Sequence, residues 1–350
     1  MIQKAIYEIV NGQNLTIDNT KAVMNEIMDG KATDAQIASF LTSMRLKGES
    51  IEEITACAMV MREKCQRLDP KTDVLDIVGT GGDELSTFNI STVSSFVIAA
   101  SGIPVAKHGN RSVSSKCGSA DLLEALGVNI MLTPAQCEAV LEKIGICFLM
   151  AQTFHSSMKY VAKVRKELGI RTIFNILGPL ANPAKARYEL IGVYDENLVE
   201  PMARVLANLG VKRAMVVHGH DGLDEVTLSD TTTICEVNDG RLNSFFITPE
   251  QFGMKRCSLC ELIGGTPQEN KEIALNILKG EKGAKRDIVV LNSAICLYMF
   301  YNNITLKECL KTAQNIIDSG KALNKLNEFV KATQEIRVES EDTAREKSEE

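Results

Sequence analysis

Three stretches of the chain carry residues whose types and spacing suit a phosphorylated ligand. Gly79-Thr80-Gly81-Gly82-Asp83 follows a short apolar run, Val74 to Val78, and leads through Asn89-Ile90-Ser91-Thr92 into a helical body that Gly102 closes. Lys107-His108-Gly109-Asn110-Arg111 follows a second apolar run, Ile103 to Ala106, and opens a hydroxyl-rich loop, Ser112 to Ser119, before a short helix ended by Gly127. The third stretch, Asp221-Gly222-Leu223-Asp224-Glu225, comes soon after the apolar run Ala214 to His218. Glycine lets backbone approach an anion closely, and a helix N-terminus offers unpaired N–H groups at the positive end of its dipole. Asp224 and Glu225 repel an anion unless a divalent cation stands between, and Mg²⁺ characteristically bridges one or two carboxylates and phosphate oxygens. Each stretch alone also reads as an ordinary glycine-rich loop or a solvated turn. Two anion loops in succession, with a cationic cluster at a strand end, favour the binding site.

Other chemistries find less support. Glu84 stands where the third glycine of GxGxxG belongs, and no GxxxxGK[ST] occurs, so neither a dinucleotide fingerprint nor a P-loop is present. His108 and His155 lack a recognisable serine or cysteine partner for a hydrolase triad. His218 and His220 beside Asp221 lack a further nitrogen or sulfur ligand for zinc. Cys257 and Cys260 form one CxxC with no second pair, and most of the ten cysteines sit in apolar segments, where a reduced thiol packs as a small hydrophobe.

Composition agrees with a cytoplasmic, globular chain. Of 350 residues, 45% are hydrophobic and 24% charged, with a net charge of −6. The acidic balance argues against a nucleic-acid surface. No apolar run reaches membrane-spanning length, and the first residues show no signal-peptide pattern.

The elements that must position these loops fall into two groups. From Ile2 to about Arg67 the pattern is helical, with capping boxes at Thr33/Gln36 and Ser50/Glu53 and an apolar face of Ile37, Phe40, Leu41 and Met44. Asp69-Pro70-Lys71 marks a boundary. Beyond it strands and helices alternate, the signature of a mostly parallel sheet with helices on its faces. Val128 to Met131 reads as a short strand, His155 to Glu167 as a helix, and Thr172 to Pro183, with its Gly178-Pro179 and Asn182-Pro183 steps, as an irregular connection. Thr232 to Val237 and Leu242 to Ile247 read as a hairpin. The expected fold is α/β: a helical subdomain over 1–70, joined by helices near 155–183, and a larger α/β domain over 71–335. A charged tail, 336–350, is expected to be disordered.

GTGGD at 79–83, NIST at 89–92, KHGNRSVSSKCGSADLLEALG at 107–127 and DGLDE at 221–225 resemble the anthranilate phosphoribosyltransferase family. LTSMRLKGES and VRKELGIRTIFNILGPLANP extend the resemblance to about Lys331. One departure is His155-Ser156-Ser157-Met158, where the family has His-Pro-Ala-Met. The resemblance implies a homodimeric enzyme that joins the amine of anthranilate to C1 of phosphoribosyl pyrophosphate, with Mg²⁺, and expels pyrophosphate. It also implies the site. Ser91, Asp224 and Glu225 hold the metal. Phosphoribosyl pyrophosphate contacts fall on Gly79, Gly82, Asp83, Thr87, Asn89, Ile90, Ser91 and Thr92. They continue over Lys107, His108, Gly109, Asn110, Arg111, Ser112, Val113, Ser114, Ser115 and Ser119. Arg165, with Gly79 and Asn110, meets anthranilate, and Lys107 and Arg165 carry the catalytic charges. From the residues alone, Arg165 beside Lys159 and Lys163 reads only as a solvated cationic face. Two other readings stand beside this one: a pyrimidine nucleoside phosphorylase of the same fold, and a non-catalytic relative that binds nucleic acid.

Overall fold

The computed structural model describes residues 1–112 and 115–349, with side chains described through Ile336. Val113 and Ser114, two of the expected contacts, lie outside the described residues. So does Glu350. The last helix runs Lys321–Glu349, so the backbone of the expected tail continues it.

The N-terminal bundle consists of α1 (Ile2–Val10), α2 (Ile17–Met28), α3 (Asp34–Lys47) and α4 (Ile51–Lys64). Both capping boxes form as expected, so the first turns of α3 and α4 have partners for their free N–H groups. Glu53 of the second box is fully buried, yet it accepts from the Leu15 and Ser50 amides and from Lys47 Nζ, at 2.9, 2.8 and 2.8 Å. A buried carboxylate is tolerable when hydrogen-bonded this way, and here it pins the α1–α2 connection to the start of α4.

The α/β part holds a seven-stranded sheet in the order β3-β2-β1-β4-β5-β6-β7. Its strands are β1 (Leu75–Gly79), β2 (Val105–Gly109), β3 (Ile146–Met150), β4 (Tyr188–Gly192), β5 (Arg213–Gly219), β6 (Thr232–Asn238) and β7 (Arg241–Ile247). The first five are parallel, and the β6–β7 hairpin adds antiparallel at one edge. The chain winds outward from β1 to β3 and then restarts at β4 on the other side of β1. The crevice between the carboxyl ends of β1 and β4 is therefore the topological switch point, where open α/β sheets bind ligands.

One buried cluster joins a sheet face to helix Ile90–Ala100, helix Ala284–Phe300 and the C-terminal helices. A second joins the opposite face to the bundle, to helix Lys159–Leu168 and to helix Phe174–Leu180. This second helix corrects the expectation of an irregular connection. Ile173, Phe174, Ile176, Leu177 and Leu180 are all buried, and this burial outweighs the donor that Pro179 removes within the helix. Val128 to Met131 is not a strand: the segment has no regular secondary structure, and its Asn129 amide donates to the Thr333 hydroxyl. The helix expected from His155 begins later. Ser156–Met158 form a 3₁₀ turn and the α-helix starts at Lys159. β2 reaches Gly109, so Lys107 and His108 belong to the strand and not to the loop after it.

Candidate active site

Two glycines make the crevice possible. Gly79 and Gly192 are direct partners at the ends of β1 and β4. A Cβ on Gly79 would overlap the Asp224 carboxylate, and one on Gly192 would overlap the Asp224 backbone carbonyl. Asp224 and Glu225 can therefore lie across both strand ends, beneath the Gly79–Asp83 loop. Asp224 Oδ2 accepts from the Gly81 amide at 2.7 Å, and Glu225 Oε1 from the Ser91 amide at 3.1 Å. The two carboxylates are thus tied directly to the glycine loop and to the N-terminus of helix Ile90–Ala100.

Charge in this pocket is unbalanced. Asp224 and Glu225 are 9% and 8% exposed. Burial, with repulsion from Asp83 on Asp224 and from Asp224 on Glu225, pushes both carboxyls above their ordinary range. Asp83 is raised as well, chiefly by burial. Lys107 is the cation facing them. Its Nζ donates to the Ile77 carbonyl at 2.6 Å and lies 3.4 Å from Ser91 Oγ. Burial draws the pKa of Lys107 down, while Asp76 and Glu225 oppose that shift. Crowded carboxylates with one buried ammonium suit an added divalent cation. Ser91 Oγ, Asp224 and Glu225 are the oxygen donors at hand. Among the described residues no three His, Cys, Asp or Glu side chains converge on a metal position, so a closed cage of the structural-zinc kind is not built.

The second loop divides its residues. Asn89 Nδ2 donates to the Cys117 carbonyl at 3.0 Å and Asn89 Oδ1 accepts from Asn270 at 2.9 Å, which binds the two anion loops together. Ser119 Oγ donates to the Asn110 carbonyl at 3.2 Å, and Ser112 and Ser115 hydroxyls lie 2.8 Å apart. Asp121 accepts from the Ser112 and Gly118 amides, closing the turn. Arg111 turns away: its guanidinium pairs with Asp121 and Glu124 at 2.9 Å each, so its charge is already matched. Thr87 forms a backbone bridge with Ile263. Ile90 is buried, and Thr92 is buried with its hydroxyl unpartnered.

His108 and His155 form a buried ring pair, centroids 5.1 Å apart, each with an unpartnered Nε2. Burial lowers their pKa values to about 3 and about 4, so both are neutral at physiological pH.

Arg165 is not the solvated cation that its neighbours in sequence indicate. It lies half-buried over the Phe174 ring, 5.4 Å from its centroid, and burial lowers its pKa. Among the described residues it has neither an ion pair nor a hydrogen bond. A half-buried guanidinium left without an acid is suited to a ligand carboxylate.

Sequence reading missed several residues that shape the site. Buried Asp76 accepts from the His108 amide and from Asn182, at 3.2 and 2.7 Å, linking β1, β2 and the segment after Leu180. Burial raises its pKa to about 6. The polar position in an otherwise apolar strand was the available signal. Asp221 in the DGLDE motif is structural: it caps Leu223 and accepts from Thr227. Arg171 and Tyr194 also reach the glycine loop; Arg171 lies in the VRKELGIRTIFNILGPLANP stretch, and the sequence reading assigns neither a role.

The α/β-domain model of the glycosyl transferase family matches residues 71–323, and that family's helical-bundle model matches 3–65. The chain is 85% identical to anthranilate phosphoribosyltransferase from Endomicrobium trichonymphae, covering 96% of this chain and 100% of the relative. It is 68% identical to that of Ruminiclostridium cellulolyticum, covering 97% and 99%. Its fold matches the Thermus thermophilus anthranilate phosphoribosyltransferase with a TM-score of 0.90 and 41% identity, covering 94% and 99%. The Saccharomyces cerevisiae enzyme, solved in complex with PRPP and Mg, matches with a TM-score of 0.88 and 27% identity, covering 95% and 98%. The chain therefore belongs to the anthranilate phosphoribosyltransferase family, with the helical and α/β parts of the glycosyl transferase fold.

Proposed function

We infer that this protein transfers the phosphoribosyl group of phosphoribosyl pyrophosphate to the amine of anthranilate, releasing pyrophosphate in the tryptophan pathway. The observation that carries this reading is the attachment of one carboxylate pair to two anion loops: Asp224 to the Gly81 amide and Glu225 to the Ser91 amide. An anion loop anchored by carboxylates needs a cation to receive a pyrophosphate. When bound, Mg²⁺ would be held by Asp224, Glu225 and the Ser91 hydroxyl, and would neutralise charge on the leaving pyrophosphate.

The chain's own groups supply the rest. Loop amides not already taken by Asp224 or Gly192, with the positive end of the dipole of helix Ile90–Ala100, would stabilise the charge that grows on the leaving group. Lys107, buried beneath them, adds a fixed positive charge through Ser91. Thr87, Asn89, Thr92, Asn110, Ser112, Ser115 and Ser119 supply the polar groups for the ribose and phosphate side. Arg165, stacked on Phe174, holds the anthranilate carboxylate, with Gly79 and Asn110 nearby, and so sets the amine against C1. An aromatic amine is neutral and nucleophilic at pH 7, and its proton becomes acidic only after attack. No general base is required, and positioning carries the reaction.

We further propose a homodimer joined through the bundle, and a cytoplasmic location in keeping with the ten free cysteines. The test of the reaction is loss of anthranilate fluorescence in the presence of phosphoribosyl pyrophosphate and Mg²⁺. Turnover that is absent with those substrates, but present with a pyrimidine nucleoside and inorganic phosphate, would replace this reading by the phosphorylase.

A further inference from the structure

The Gly79–Asp83 loop is held in a conformation that it would not choose alone. Gly81, Gly82, Glu84 and Ser86 all have positive φ, at 65°, 77°, 62° and 54°. Glu84 and Ser86 carry side chains, so the left-handed backbone is strained there and must be fixed from outside. The Gly264 amide donates to the Ser86 carbonyl at 3.0 Å, and four contacts hold the loop ahead of it. Asp224 takes the Gly81 amide, and the Gly192 carbonyl takes the Thr80 amide at 2.9 Å. Thr80 Oγ1 takes the Tyr194 amide at 3.2 Å, and the Gly82 carbonyl takes Arg171 Nη2 at 2.5 Å.

The fourth contact differs in origin. Arg171 lies two residues past Gly169, the left-handed cap of the helix that carries Arg165. Its guanidinium stacks on Tyr194 with Cζ 4.2 Å from the ring centroid. One side chain thus joins the pyrophosphate loop, the exit of the Arg165 helix and the segment after β4. Its pairing with Glu84, at 3.3 Å, is peripheral because Glu84 is 82% exposed.

We propose that Arg171 is a positioning residue that fixes the Gly82 carbonyl, and with it the backbone of the loop, for phosphoribosyl pyrophosphate. The effect is specific to one substrate: the bond is made to the loop and leaves Arg165 free. The proposal rests on the reaction inferred above.

Steady-state kinetics of the full-length protein test it. Arg171→Ala should raise the apparent constant for phosphoribosyl pyrophosphate by roughly tenfold, the worth of one charged hydrogen bond. The anthranilate constant should move by less than about twofold, the surface-scale effect expected away from its site. Arg171→Lys keeps a donor without the planar stack and should recover part of the loss. Glu84→Gln should match the wild type. Equal rises in both constants, or an Arg171→Ala protein with wild-type constants and only a lower melting temperature, would overturn the proposal. A Glu84→Gln loss as large as that of Arg171→Ala would overturn it too, by assigning the effect to the ion pair. A wild type with no turnover would instead defeat the inferred reaction, so the two failures are distinguishable.

Discussion

At the residue scale, the site is a set of charges left unmatched by the protein. Asp224 and Glu225 outnumber the cation beside them, and Arg165 has no acid among the described residues. Asp224→Asn combined with Glu225→Gln should raise the Mg²⁺ needed for half-maximal activity by roughly tenfold to a hundredfold, with the fold intact by circular dichroism. An unchanged Mg²⁺ titration would remove the metal from these residues. Arg165→Ala should weaken anthranilate by about tenfold or more, from the loss of a charge-assisted carboxylate contact, and leave phosphoribosyl pyrophosphate nearly unaffected. Equal weakening of both would make Arg165 structural. The glycine and acidic motifs were legible because their chemistry is carried by residue type in a short window. Arg111 and Arg165 were not. Whether an arginine is spent on an internal acid or free for a ligand depends on partners that only the fold supplies, here Asp121 and Glu124 for one and Phe174 for the other.

At the scale of elements, the alternation of strands and helices past Lys71 was readable from its apolar runs and caps. The helix Phe174–Leu180 was not, because Gly178 and Pro179 are breakers by propensity while tertiary burial of its apolar face decides the outcome. The same limit applies to Gly192, an inconspicuous strand glycine until Asp224 is seen against it. Gly192→Ala has no positive-φ strain to relieve, so its effect comes from overlap with the Asp224 carbonyl. It should destabilise the protein by roughly 1–3 kcal/mol and displace Asp224, raising the Mg²⁺ requirement as well. Gly210→Ala has open space but φ of 76°, and should cost only the left-handed backbone penalty of about 1–2 kcal/mol, with Mg²⁺ dependence unaltered. Urea melts and Mg²⁺ titrations of both variants separate contact from strain. Equal Mg²⁺ dependence in the two would remove the positioning role of Gly192.

At the scale of the molecule, the His108–His155 pair sits where β2 meets the segments that pack on the bundle. His108 Nδ1 lies 3.2 Å from the Gly178 carbonyl. Their folded pKa values, about 3 and about 4, fall below the ordinary 6.5. A base with a depressed folded pKa contributes stability that is fully present above its unfolded pKa and is lost as pH falls toward the folded one. The buried carboxylates Asp76 and Glu189, with pKa raised to about 6 and about 8, act in the opposite sense. The difference between wild type and His155→Gln cancels them. Wild-type melting temperature should fall faster than the variant's between about pH 6.5 and 4. Parallel curves would mean that His155 is not held neutral by burial.

The proposed dimer turns on the bundle's outer surface, and here the apolar pattern in the sequence misleads. Ile37, Phe40, Leu41 and Met44 suggest an excess that one small subdomain cannot bury, yet all are 1% exposed or less. They pack within the subunit, together with Val161, Val164, Ile173 and Phe174 from the segments after His155. The exposed apolar groups are others: Met1, Tyr7 and Val10 on or beside α1, and Leu46 on α3, at 56%, 73%, 69% and 83%. These two helices pack on each other, and exposed large apolar side chains suit association. Tyr7→Glu with Leu46→Lys should therefore yield a monomer by sedimentation. The Gly79, Lys107 and Asp224 segments all belong to one chain and meet within it. That monomer should keep its turnover and lose stability, since association no longer favours the folded state. A dimer that persists would reject this surface. A well-folded monomer without activity would show that the site needs the second subunit.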